Sequence, residues 1–147
     1  MRTVTGVGTA LLLVGLAAST AVAADVRPGE PPGRVLAEVE LRPAVAAQLA
    51  DRSGDVLVLA DRLGTAQTAR LHGPVAVGPA DLAGGYRAGD VAYWAPEQLL
   101  VVFTTDGSAL PDGGLTLVGR VSHGLDALAG CARDCAVGVT AGAAATW

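Results

Sequence analysis

The chain has 147 residues, of which 51% are hydrophobic and only 3% aromatic; its ten basic residues are all arginine and its formal charge is −4. That length holds one domain plus a short leader, and a core built from Ala, Val, Leu and Gly must pack densely because few large side chains anchor it. An acidic chain without a basic run argues against nucleic acid and against anionic membrane surfaces as partners.

Residues 1–24 read as a secretory leader. Arg2 gives the positive start, Val4 to Leu16 form the apolar stretch, and Ala21-Val22-Ala23-Ala24 offers small residues for cleavage after Ala23 or Ala24. A membrane anchor needs about 20 apolar residues, and Thr3, Thr5, Thr9, Ser19 and Thr20 make this segment too polar for one. No cysteine near the junction could carry a lipid. The expected location is therefore secreted or extracytoplasmic, in the cell envelope, with no stable membrane anchor after cleavage. Residues 25–33 (DVRPGEPPG) form a Pro/Gly linker.

The domain is expected over 34–130. Arg34 to Arg42 alternates as a first strand and Pro43 stops it. Ala44 to Ala50 is too short to classify, although Pro43 suits a first helical position. A turn at Asp51 to Asp55 precedes a buried-type strand, Val56 to Ala60. Thr65 is placed to cap one or two helical turns running to Leu71, closed by His72-Gly73-Pro74. Val75 to Val77 reads as a short strand and Ala80 to Gly84 as a loop.

Gly85 to Phe103 contains four of the five aromatic residues. The turn Arg87-Ala88-Gly89-Asp90 feeds the alternating run Val91 to Trp94; Ala95 to Gln98 breaks it, and Leu99 to Phe103 resumes it, which is a hairpin pattern. A glycine-rich connection then leads to a strand at Leu115 to Val121, a turn at Ser122-His123-Gly124 and a short helix at Leu125 to Ala129. Residues 131–147 form a small-residue C-terminal tail that pattern does not assign. Short strands, Gly/Pro turns and one or two brief helices indicate a mainly β sandwich or barrel.

Three segments carry a resemblance. GDVAYWAPEQLLVVF (89–103) resembles the Gly-Asp-x-x-Tyr-Tyr-x-Pro hairpin of small bacterial cyclophilin-like domains. GLTLVGRVSHGLDALAG (114–130) resembles the strand–turn–helix that closes these domains and true cyclophilins, with Val118 where cyclophilins carry Phe. VLADRLGTAQTARLHGPVAV (58–77) is similar to the family's strand–short helix–Leu-Pro unit, with Gly73-Pro74 in place of Leu-Pro. The resemblance implies a closed cyclophilin-like β-barrel with one or two short helices. Gly78 to Gly85 is shorter than the family's usual segment before the hairpin.

Catalytic cyclophilins are peptidyl-prolyl isomerases. An arginine beside an apolar proline pocket stabilises the twisted amide and lowers a barrier of about 18–20 kcal/mol. They carry it in a Phe-rich early strand followed by Phe-Met-x-Gln-Gly-Gly-Asp; Val56 to Ala60 has no arginine or aromatic residue, and Phe103 is the only phenylalanine. The expectation is a non-catalytic module for a peptide or small-molecule ligand, and the alternative is an extracytoplasmic isomerase or chaperone with an atypical site.

Tyr93 and Trp94 are adjacent in a strand and point to opposite faces, so one can be core and the other exposed; the outward ring either plugs a barrel end or stands with Gln98 on the rim of a ligand groove. Tyr93, Trp94, Gln98 and Arg87 are the expected ligand-binding residues, and Phe103 is assigned to the core. His72 and His123 read as solvated or capping, and with the cysteines they lack zinc-ligand spacing, so neither metal nor cofactor is expected. Cys131 and Cys135, the only cysteines, are expected to form a local disulfide in an oxidising compartment. Three residues separate them, against the two of a thioredoxin-type motif, so the pair clips the tail.

Overall fold

A computed structural model describes residues 33–143. The expected leader (1–24), the linker up to residue 32 and residues 144–147 lie outside the described residues. The strands are β1 (Ala37–Leu41), β2 (Val56–Arg62), β3 (Ala66–Arg70), β4 (Asp90–Trp94), β5 (Leu99–Phe103), β6 (Thr116–His123) and β7 (Cys135–Ala141), with helices α1 (Pro43–Ser53) and α2 (Leu125–Ala129). They close into one barrel in the order β1-β6-β4-β5-β3-β2-β7, the mainly β barrel that the sequence predicts. β1 and β7 pair in parallel; every other neighbouring pair is antiparallel.

Alternation along the strands sends one set of side chains inward. Val39 and Leu41, Leu57 and Leu59, Val91 and Tyr93, Leu100 and Val102, Val118 and Val137 share one buried cluster. In a small closed barrel such side chains fill the interior. Tyr93 is the one aromatic among them, and its hydroxyl accepts a hydrogen bond from the Val75 backbone N–H at 3.1 Å.

The helices close the mouths. Since β1 and β6 run antiparallel, α1 after β1 and α2 after β6 stand at opposite ends. Pro43 at the first helical position starts α1, which buries Val45, Ala46 and Leu49 along one side. α2 is short and buries Leu128. Below it, the buried Gln67 amide donates to the carbonyls of Leu128 (3.2 Å) and Cys131 (2.6 Å), tying β3 to the α2 end.

Three sequence expectations are corrected. The helix expected from Thr65 to Leu71 is strand β3. Ala-Gln-Thr-Ala-Arg has good helix propensity, but Leu63-Gly64 at positive φ turns the chain back on β2, and pairing with β2 and β5 overrides the propensity. Thr65 Oγ1 donates to the Arg62 carbonyl and caps no helix. Val75 to Val77 is not a strand: besides the Val75–Tyr93 bond, its backbone uses the Gln48 side chain, which accepts from the Ala76 N–H and donates to the Ala76 carbonyl. The region set aside as a tail from residue 131 contains β7, which lies between β1 and β2, so the barrel extends past Gly130. Small residues obscured this strand because Ala136, Gly138 and Ala141 weaken the β signal that Val137 and Val139 carry.

Candidate functional site

The strands that bury Tyr93 also present an apolar outer face. Across β3, β5 and β4, Ala66 lies opposite Phe103, Thr68 opposite Val101, Val101 opposite Ala92, and Leu99 opposite Trp94. Ala66, Ala92, Leu99, Val101 and Phe103 join Leu115 in a second buried cluster, separate from the interior one.

Two loops make a site of this face. Tyr86 lays its ring on Phe103, with centroids 3.7 Å apart and planes 11° from parallel. It is fastened there by reciprocal backbone bonds, Tyr86 N–H to Gly107 C=O at 2.7 Å and Gly107 N–H to Tyr86 C=O at 3.0 Å. Gly107 is required by close approach: a Cβ there would run into the Tyr86 phenol. The Trp94 indole N–H donates to the Asp112 carbonyl at 2.9 Å and holds the second loop.

The loops are joined at Tyr86–Gly107 and at Leu82–Leu115 but do not cover the strands completely. Between them lies a half-open groove of about 360 Å³, lined among others by Trp94, Phe103, Tyr86, Leu110, Leu115 and Arg62. That volume falls within the range of small-molecule and cofactor sites, about 300–1,000 Å³. Arg62, the last residue of β2, is the one charged side chain among the described residues that line the groove, and its guanidinium carbon stands 5.9 Å from the Trp94 ring centroid. The ion pairs among the described residues use Arg42, Arg70 and His123 instead.

Residues 38–139, from within β1 to within β7, match the family described as cyclophilin-like. The chain belongs to the cyclophilin-like family. No curated protein and no solved structure matches it.

Within this cyclophilin-like domain the four expected ligand residues are scattered. Trp94 lines the groove. Tyr93 faces the opposite way, 2% exposed, with its hydroxyl already bonded. Gln98 ends the turn between β4 and β5 in a left-handed conformation, its carbonyl accepting from the Leu71 N–H, and it is not a lining residue. Arg87 is exposed in the turn before β4, its backbone N–H bonded to Asp90 Oδ2, outside the groove.

Arg62, Tyr86 and Phe103 line the groove without having been singled out for it. The run Leu99 to Phe103 is apolar at every position, so alternation could not reveal that Leu99, Val101 and Phe103 face outward while Leu100 and Val102 face inward. Arg62 was hidden because the strand pattern stops at Ala60, whereas β2 continues for two polar residues.

Cys131 and Cys135 form the expected disulfide, which links the second residue after α2 to the first residue of β7. His72 is exposed, and His123 Nδ1 stands 3.8 Å from Glu38 Oε2 on the surface. Among the described residues no group of three or more His, Cys, Asp or Glu side chains converges as a metal site.

Proposed function

We propose that this cyclophilin-like domain is a non-catalytic binding module that holds the apolar part of a peptide or small ligand in the groove over β3, β5 and β4. The observation that carries this reading is an aromatic-lined groove, open to solvent, standing on three strands of a filled barrel. Strands fix Trp94 and Phe103, while loops and the Arg62 side chain cover them only in part, which suits reversible binding. Titrating the isotopically labelled protein with acetyl-Leu-Phe-amide should shift the NMR signals of Trp94, Phe103 and Tyr86 and leave those of Tyr93 in place. Shifts confined to other surfaces, or none, would sink the reading.

A second reading, an isomerase with an atypical site, is favoured by one observation. Arg62 supplies beside an apolar groove the guanidinium that Val56 to Ala60 lacks. A prolyl-peptide isomerisation assay decides between them: catalysis abolished in Arg62→Ala would replace binding alone with isomerisation.

We further propose an extracytoplasmic location. It is supported by the leader pattern of residues 1–24 and by the disulfide, since cytosolic thiols are mostly kept reduced. Among the described residues no helix is long and apolar enough to cross a membrane. Mass spectrometry of the mature protein should find its first residue at Ala24 or Asp25; an intact Met1 terminus would refute cleavage.

A further inference from the structure

We propose that the groove's ligand is a peptide segment carrying a carboxylate next to an apolar side chain, and that Arg62 pairs with that carboxylate. The proposal rests on the groove-binding reading and adds the class of ligand. The first observation is charge. Among the described residues that line the groove, Arg62 is the one charged group and none is acidic, and the guanidinium rests over the Trp94 ring. A carboxylate arriving there gains charge-assisted bonds, which the guanidinium fork can make in pairs and which are stronger than those between neutral groups. The apolar neighbour of that carboxylate then fills the space between Trp94, Phe103 and Leu110.

The second observation is what stands beside Arg62. Leu63 is 91% exposed at the tip of the β2–β3 hairpin, with a left-handed φ of 58° that bulky side chains rarely adopt. It belongs to the groove's rim, so the apolar surface runs on past the cavity. A compact acid confined to the groove leaves Leu63 in water, whereas an extended peptide covers both. Because the barrel is closed, it offers no free strand edge for the peptide backbone to join. Selection therefore falls to side chains, and Arg62 and Leu63 are adjacent to supply it.

The test uses the full chain and two peptides of nearly equal shape, acetyl-Phe-Asp-amide and acetyl-Phe-Asn-amide, read by NMR at Trp94 and Phe103. The Asp peptide should bind about tenfold more tightly, and added salt should reduce the preference. Arg62→Gln should bring the ratio to about one and Arg62→Lys should keep part of it, while Leu63→Ser should weaken both peptides. Equal binding of the two by the native chain, or a ratio that survives Arg62→Gln, overturns charge selection while leaving the groove as a binding site. No shift at Trp94 or Phe103 with either peptide removes the groove reading itself. If 3-phenylpropionate binds as tightly as the Asp peptide and Leu63→Ser changes nothing, the peptide assignment is wrong and the ligand is a small acid.

Discussion

Strands β4 and β5 are apolar on both faces, but the faces are sealed differently. Inside, Val91, Tyr93, Leu100 and Val102 are enclosed by the rest of the barrel and by the helices at its mouths. Outside, Val101, Phe103 and Trp94 are covered in part by two loops and by Arg62 from the end of β2, and this cover leaves a groove. Neighbouring residues of one strand, Tyr93 and Trp94, thus belong to different parts of the molecule. The inner ring is packed in the barrel interior, and the outer one lines the groove. Apolar character alone does not separate the two roles; what covers each face does.

The largest effect that tests this contrast is Tyr93→Ala, which should cost about 3–5 kcal/mol in chemical denaturation because it empties the barrel interior. Trp94→Ala should lose groove binding with a clearly smaller cost in stability, and equal costs would break the distinction. Replacing Cys131 and Cys135 by serine should lower stability by about 2 kcal/mol, as a short closed loop implies, with the groove's NMR signals unmoved. Gly107→Ala should act the other way: by displacing Tyr86 from Phe103 it should move the groove signals at a cost of about 1–3 kcal/mol, the range for overpacking. Trp94→Phe removes the donor to the Asp112 carbonyl and should cost about 1 kcal/mol, with faster amide exchange around Asp112. Smallest is Arg70→Ala, which breaks the exposed pair with Glu97 at 3.3 Å. It should change stability by less than about 1 kcal/mol and leave peptide binding intact.

The fold was more legible than the site. The β4–β5 hairpin, the strand at β6 and helix α2 follow from runs whose turns and alternation agree with their tertiary setting. β3 did not follow because Ala66 to Arg70 favours a helix locally, and partners distant in sequence decide its state. Of the site, Trp94 was legible from its place beside Tyr93. Tyr86, Phe103 and Arg62 were not, because the groove is made by loops folding over strands, and loop closure leaves no period in the sequence. Gln98 and Arg87 lie close to Trp94 along the chain, but the turns point them elsewhere.

β7 has a consequence for the order in which the molecule can be completed. It is the last strand among the described residues, yet it sits between β1 and β2 and pairs with both. Until it arrives, both strands keep an unpaired edge and the interior stays open along one side. Ribosomal synthesis therefore delivers the closing piece after nearly everything it must join. The pairing of Ala37 with Val137 spans almost the whole domain, the kind of distant contact that slows folding. Chain shortened before Cys135 would expose two adjacent templates for intermolecular pairing, so premature termination should yield aggregates rather than a smaller barrel.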